Sequence, residues 1–233
     1  MDARGGYDSY HNLATGEGFA QFRDLAVEQG FSLLPEVSFT AVDLEAVDAL
    51  VLLQPYALAD AYTPEEVEAI QLFAARGGRL VVLADGGTGS SAAYLNDLSL
   101  SFGISYSETT ADALGATLTD FVVQKLTVGV EGIRVDYQRP ITASPPGEAL
   151  AWSGALTDAC LAVSGNAVFL SDSSVFMNPD GYSDASIADA SNAVLARNVV
   201  RYLAAVPEIA AVLPVSLALL GFTGCRLVRR CLR

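Results

Sequence analysis

The strongest constraint on the fold is the stretch from Asp48 to Asp85, which reads as strand, helix and strand in immediate succession. Its two flanking runs, Asp48 to Leu53 (DALVLL) and Arg79 to Ala84 (RLVVLA), are continuously apolar rather than alternating. Neither offers a face to water, which is how strands covered on both sides read. Between them Thr63 is placed to cap a helix, Pro64 fits its first position, and Glu66 completes a capping box. The predicted helix, Glu65 to Arg76, buries Val67, Ile70, Phe73 and Ala74 and stops at Gly77-Gly78. A strand–helix–strand unit of this kind implies neighbouring parallel strands with helices packed on them.

The rest of the chain extends this pattern. Glu17 to Gln29 carries Phe19, Phe22, Leu25 and Ala26 at helical spacing before Gly30, and Phe31 to Val37 reads as a short extended run. The loop Asp85 to Ser91 leads into a helix over Ser91 to Phe102, stopped by Gly103. Thr109 to Pro146 reads as short strands and loops, with Pro145-Pro146-Gly147 as a turn. Strands are expected at Glu148 to Trp152, Ala159 to Val163 and Asn166 to Ser171, and a helix at Ala190 to Ala204 after a polar loop. The expectation is an α/β fold, a three-layer, mostly parallel sheet with helices on both faces. Residues 1–204 form one domain and 205–208 a linker.

Apolar residues make up 52% of the chain and charged ones 17%, enough for a sizeable core. The net charge is −14, and Arg226, Arg229, Arg230 and Arg233 crowd the last positions, so the body is more acidic still. Such a surface repels phosphate backbones and argues against nucleic-acid binding. With one histidine, His11, and Cys160 as the body's single thiol, neither a zinc site nor an internal disulfide is expected. Cys160 reads as a small buried apolar residue.

The tail is distinct. Val206-Pro207-Glu208 precedes an uncharged run, Ile209 to Cys225, and arginines including Arg229 and Arg230 follow. That order predicts a transmembrane helix over 209–228 with its basic end in the cytoplasm and the body outside. The arrangement resembles the PEP-CTERM sorting signal of Gram-negative bacteria over 206–233, with Ile209 where the signal's second proline stands. The resemblance implies an exosortase as partner, removal of the tail, and delivery to the cell surface or exopolysaccharide matrix.

The body has a resemblance of its own. Tyr7-Asp8-x-x-His11-Asn12, DALVLLQP, TPEEVEAIQLFAARGGRLVVLAD, Leu95-Asn96-Asp97-Leu98, Val168 to Asp172 and Asn192 to Leu203 follow one another as in the class I glutamine amidotransferase-like domain. The similarity is to its non-enzymatic branch, which includes gliding-motility auxiliary proteins and the N-terminal domain of an intraflagellar-transport subunit. It implies a flavodoxin-like fold and a strand ahead of the Asp8 loop, so an upstream segment holding that strand and an export signal is expected.

Active amidotransferases place a nucleophilic Cys on the turn that corresponds to Ala84-Asp85-Gly86-Gly87, which has none. That loop has neither GxGxxG spacing nor a P-loop lysine. A Ser/His/Asp arrangement would use His11 with Asp8 or Asp85 and Ser90 or Ser91, without a GxSxG elbow. Asp172, Asn178, Asp180 and Asp184 form an oxygen-rich loop that is a minor calcium candidate and more simply a turn. No cofactor is expected. The leading expectation is a non-catalytic binding or matrix module for a glycan or surface protein. Its ligand face is Asp8, His11, Asn12, Asp85 and Asp172, at the carboxyl edge of the sheet. An extracellular hydrolase and a membrane-anchored subunit of a transport or motility complex are the alternatives.

Overall fold

The computed structural model describes residues 18–32, 39–40, 43–55, 61–86, 91–153, 158–179 and 184–205. The expected run Phe31 to Val37 lies largely outside them, and so does all of Val206 to Arg233 with the expected membrane helix. Among the described residues no helix is long and apolar enough to cross a membrane.

The helices are α1 (Ala20–Glu28), α2 (Pro64–Ala75), α3 (Ala93–Ser99) and α4 (Asn192–Ala204). The strands are β1 (Ala49–Leu53), β2 (Arg79–Leu83), β3 (Ile104–Tyr106), β4 (Ala111–Leu118), β5 (Asp120–Phe121), β6 (Ile133–Gln138), β7 (Ile141–Ala143), β8 (Glu148–Ser153), β9 (Asp158–Ser164) and β10 (Ala167–Leu170). The unit that constrains the fold forms as read. Thr63 Oγ1 accepts from the Glu66 amide while the Glu66 carboxylate accepts from the Thr63 amide, and α2 carries β1 over to pair parallel with β2. All five residues of β2 are buried. Leu80 and Val82 face one apolar cluster with Ile70 and Phe73 of α2 and Leu95 and Leu98 of α3. Val81 and Leu83 face the other, with Phe22 of α1 and Leu195, Val199 and Leu203 of α4. Helices therefore cover both faces, and burying four such side chains on each side of one strand pair is the main stabilising term. Ala49, Val51, Val67 and Ala74 are only partly buried, because β1 ends the sheet among the described residues and α2 is its outer layer.

The mostly parallel sheet is not what forms. The eight-stranded sheet runs β1-β2-β10-β9-β7-β3, with β8 also on β9 and β5 on β8. Only β1, β2 and β10 are parallel neighbours; β10–β9, β9–β8, β9–β7, β7–β3 and β8–β5 are antiparallel. The reason is local. Gly165-Asn166 closes a two-residue hairpin in which Ser164 pairs with Ala167, and Gly165 takes φ +54. A connection that short can only return antiparallel. The middle of the chain is also more regular than expected, since β4 and β6 make a second, two-stranded sheet. Asn192 fastens it to α4: its side chain accepts from the Arg134 amide and donates to the carbonyls of Arg134 and Ser186.

Candidate functional site

Three parallel strands end at one edge, and the residues that follow them meet there. Gln54 follows β1, Asp85 follows β2, and Asp172 follows β10. Gln54 Oε1 accepts from the Asp85 amide at 2.9 Å, and its Nε2 donates to the Ser91 carbonyl at 3.2 Å. Asp85 is half-buried and its Oδ2 accepts from the Ser173 hydroxyl at 3.4 Å. Asp172 is 1% exposed. Its Oδ2 accepts from the Asp136 amide at 2.6 Å and its Oδ1 from the Ser174 amide at 2.8 Å. Burial pushes the Asp172 carboxyl up to about 7, reinforced by the Asp85 charge and opposed by these amides.

The end of β6 closes over this edge. Gly86 donates its amide to the Tyr137 carbonyl at 2.9 Å, and a Cβ at Gly86 would come within 2.7 Å of that carbonyl, so only glycine admits the approach. Arg139 follows β6 and is 2% exposed. Its Nε donates to the Asp85 carbonyl at 3.0 Å, and its Nη1 donates to the carbonyls of Ser107 and Glu108 at 3.1 and 3.2 Å. Its own amide donates to the Ser171 carbonyl at 2.7 Å. Burial lowers the Arg139 guanidinium from its ordinary value, and the charges of Glu108 and Asp85 counter that. Glu108 in turn accepts from the Ala92 and Ala93 amides and the Ser91 hydroxyl at the start of α3. Burial alone would raise its carboxyl. The bonds from Ala92, Ser91 and Ala93, with the Arg139 charge, lower it instead.

The structure thus brings Asp85 and Asp172 together, on adjacent strand ends. Asp8, His11, Asn12 and Ser90 lie outside the described residues, while Ser91, the other serine considered for a triad, is bonded to Glu108. Of the calcium candidates, Asp180 lies outside the described residues. Asp172 spends both oxygens on backbone amides, and Asn178 Oδ1 accepts from the Gln21 amide at the start of α1. Among the described residues no group of three or more His, Cys, Asp or Glu is placed to hold a metal ion. Cys160 is buried in the core as read, its thiol pushed up to about 12 by burial. The sequence reading missed Arg139, Glu108 and Gln54. The one available signal was scarcity: an arginine among few basic residues, followed by Pro140, stands where a strand ends.

No family model and no curated protein matches the chain. Its fold has solved counterparts. The mmIFT52 N-terminal domain superposes with a TM-score of 0.67 at 16% identity, over 88% of this chain and 96% of that one. The cytoplasmic protein STM3548 from Salmonella typhimurium gives 0.61 at 11% identity, over 81% and 86%. The cytoplasmic protein STM1381 from Salmonella typhimurium LT2 gives 0.59 at 17%, over 80% and 88%. At these identities the likeness concerns the fold: this chain has the mixed α/β architecture of the mmIFT52 N-terminal domain.

Proposed function

We propose that this chain is a non-catalytic binding module, exported and sorted to the cell surface or matrix, with a glycan or surface protein as its ligand. The observation that carries the non-catalytic part is the buried Arg139. Its guanidinium donates to the backbone of the Asp85 turn, where the resemblance to amidotransferases would put a nucleophile, and joins that turn to the carbonyls of Ser107 and Glu108. A side chain so bonded positions backbone, a role that supports reading the Asp85 turn as structural support for a binding edge. Asp172 is a scaffold for β6, so ligand contact at this edge falls to Asp85 and to the Asp8, His11 and Asn12 loop. The export part rests on the tail, Val206-Pro207-Glu208 with the apolar run and Arg229 and Arg230.

The test is the mature C-terminus in the native host, measured by mass spectrometry on protein expressed from its full reading frame with and without the exosortase. Exosortase-dependent cleavage near Val206 to Glu208 supports sorting. An intact Arg233 in the membrane fraction replaces it with a retained anchor. That outcome would favour the membrane-anchored subunit of a transport or motility complex.

A further inference from the structure

The amino-terminal edge of the same strands holds a cavity of about 660 Å³, walled by the ends of α1, α2 and α4 and by the turn Asp43–Ala46. Its floor is apolar: Phe31, Leu44, Phe73 and Leu203 line it. Two arginines face it. Arg76 stands at the rim with 48% of its side chain exposed, and Arg79 is only 8% exposed. The Arg79 guanidinium donates through Nη1 to the Tyr202 carbonyl and lies 5.6 Å from the centre of the Tyr202 ring. Among the described residues no carboxylate stands within salt-bridge distance of it. A buried guanidinium is costly unless its charge is met, and its planar fork suits a carboxylate. Arg76 is held only by a 3.8 Å contact to Glu45, which is itself 68% exposed.

A plainer account is that both cations complement helix ends, Arg79 at α4 and Arg76 at α2. That explains positive charge here, but not a cavity of small-molecule size with an apolar floor beside it. Glu45 and Asp48 also line the cavity, yet both are exposed, whereas an ammonium seated on the floor would meet Arg79. We propose that this cavity binds a small carboxylate with an apolar body, its carboxylate on Arg79 and Arg76 and its body on Phe31, Leu44, Phe73 and Leu203. The site is independent of the carboxyl edge and of the reading given for it.

The test is calorimetric titration of the full chain with hexanoate and, separately, with hexylamine. Hexanoate is expected to bind saturably at one site and hexylamine not to. Arg76→Gln should weaken hexanoate about tenfold by removing one of two cations. Ala204→Phe, on the cavity wall, should abolish binding without changing charge. Neither substitution touches the buried core, and circular dichroism verifies that both variants fold. Absence of hexanoate binding, equal binding of the amine, or hexanoate affinity unchanged in both variants would overturn the proposal.

Discussion

The two edges of one short parallel core are built in opposite ways. At the carboxyl edge the side chains of Gln54, Asp172 and Arg139 bond backbone groups of neighbouring segments, and Asp85 accepts from the Ser173 hydroxyl. At the amino edge three helices end around an open cavity, and the charged groups there are sparsely bonded. Parallel strands conventionally place ligands at the carboxyl edge. Here the described part of that edge is heavily cross-braced, and a cavity lies at the other end.

The contrast can be broken most decisively at Arg139. Replacement by Met leaves the carbonyls of Asp85, Ser107 and Glu108 without their donor. It should cost about 3–5 kcal/mol in urea denaturation; a loss below about 1 kcal/mol would mean that the edge is not a keystone. The next effect is pH dependence. Because the Asp172 carboxyl is raised to about 7 from 3.8, the folded chain keeps a proton that the unfolded chain releases. Its contribution therefore favours folding at low pH, declines as pH rises from about 4 to about 7, and then levels, a change of a few kcal/mol. The same denaturation series on Asp172→Asn should lack that decline, and identical slopes would refute the assignment. Smaller again is Ala190, which holds φ 43 just before α4. Glycine tolerates that conformation, so Ala190→Gly should raise stability by about 1 kcal/mol, read as an upward shift in midpoint. Smallest is Arg76→Gln at the amino edge. Its exposed 3.8 Å pair predicts a stability change within about 0.5 kcal/mol; a larger loss would show that this edge too is braced.

Legibility in the sequence followed the range of the interactions. The β1–α2–β2 unit was readable because a capping box and two apolar runs are local chemistry. The antiparallel half was misjudged although Ser164-Gly165-Asn166-Ala167 carried a hairpin signal between apolar runs. The sheet of β4 and β6 was obscured by Gly115, which sits at a positive φ within β4. Asp85 and Asp172 could be found because each ends an apolar run. Arg139 could not, since the carbonyl it holds at Asp85 lies 54 positions away.

The same distance in sequence has a consequence in time. Helix α1 makes no side-chain cap of its own; the Gln21 amide is met by Asn178, 157 positions later, while Phe22 stacks on Phe176 at 4.8 Å. Helix α1 is thus completed by residues synthesised long after its own. A growing chain can finish the β1–α2–β2 unit early, but α1 waits for the loop after β10. Contacts that close so long a span come late and slowly. Until Asn178 and Phe176 emerge, α1 lacks both the acceptor for its first turn and the ring it stacks on, so its sealing is a late event on the ribosome.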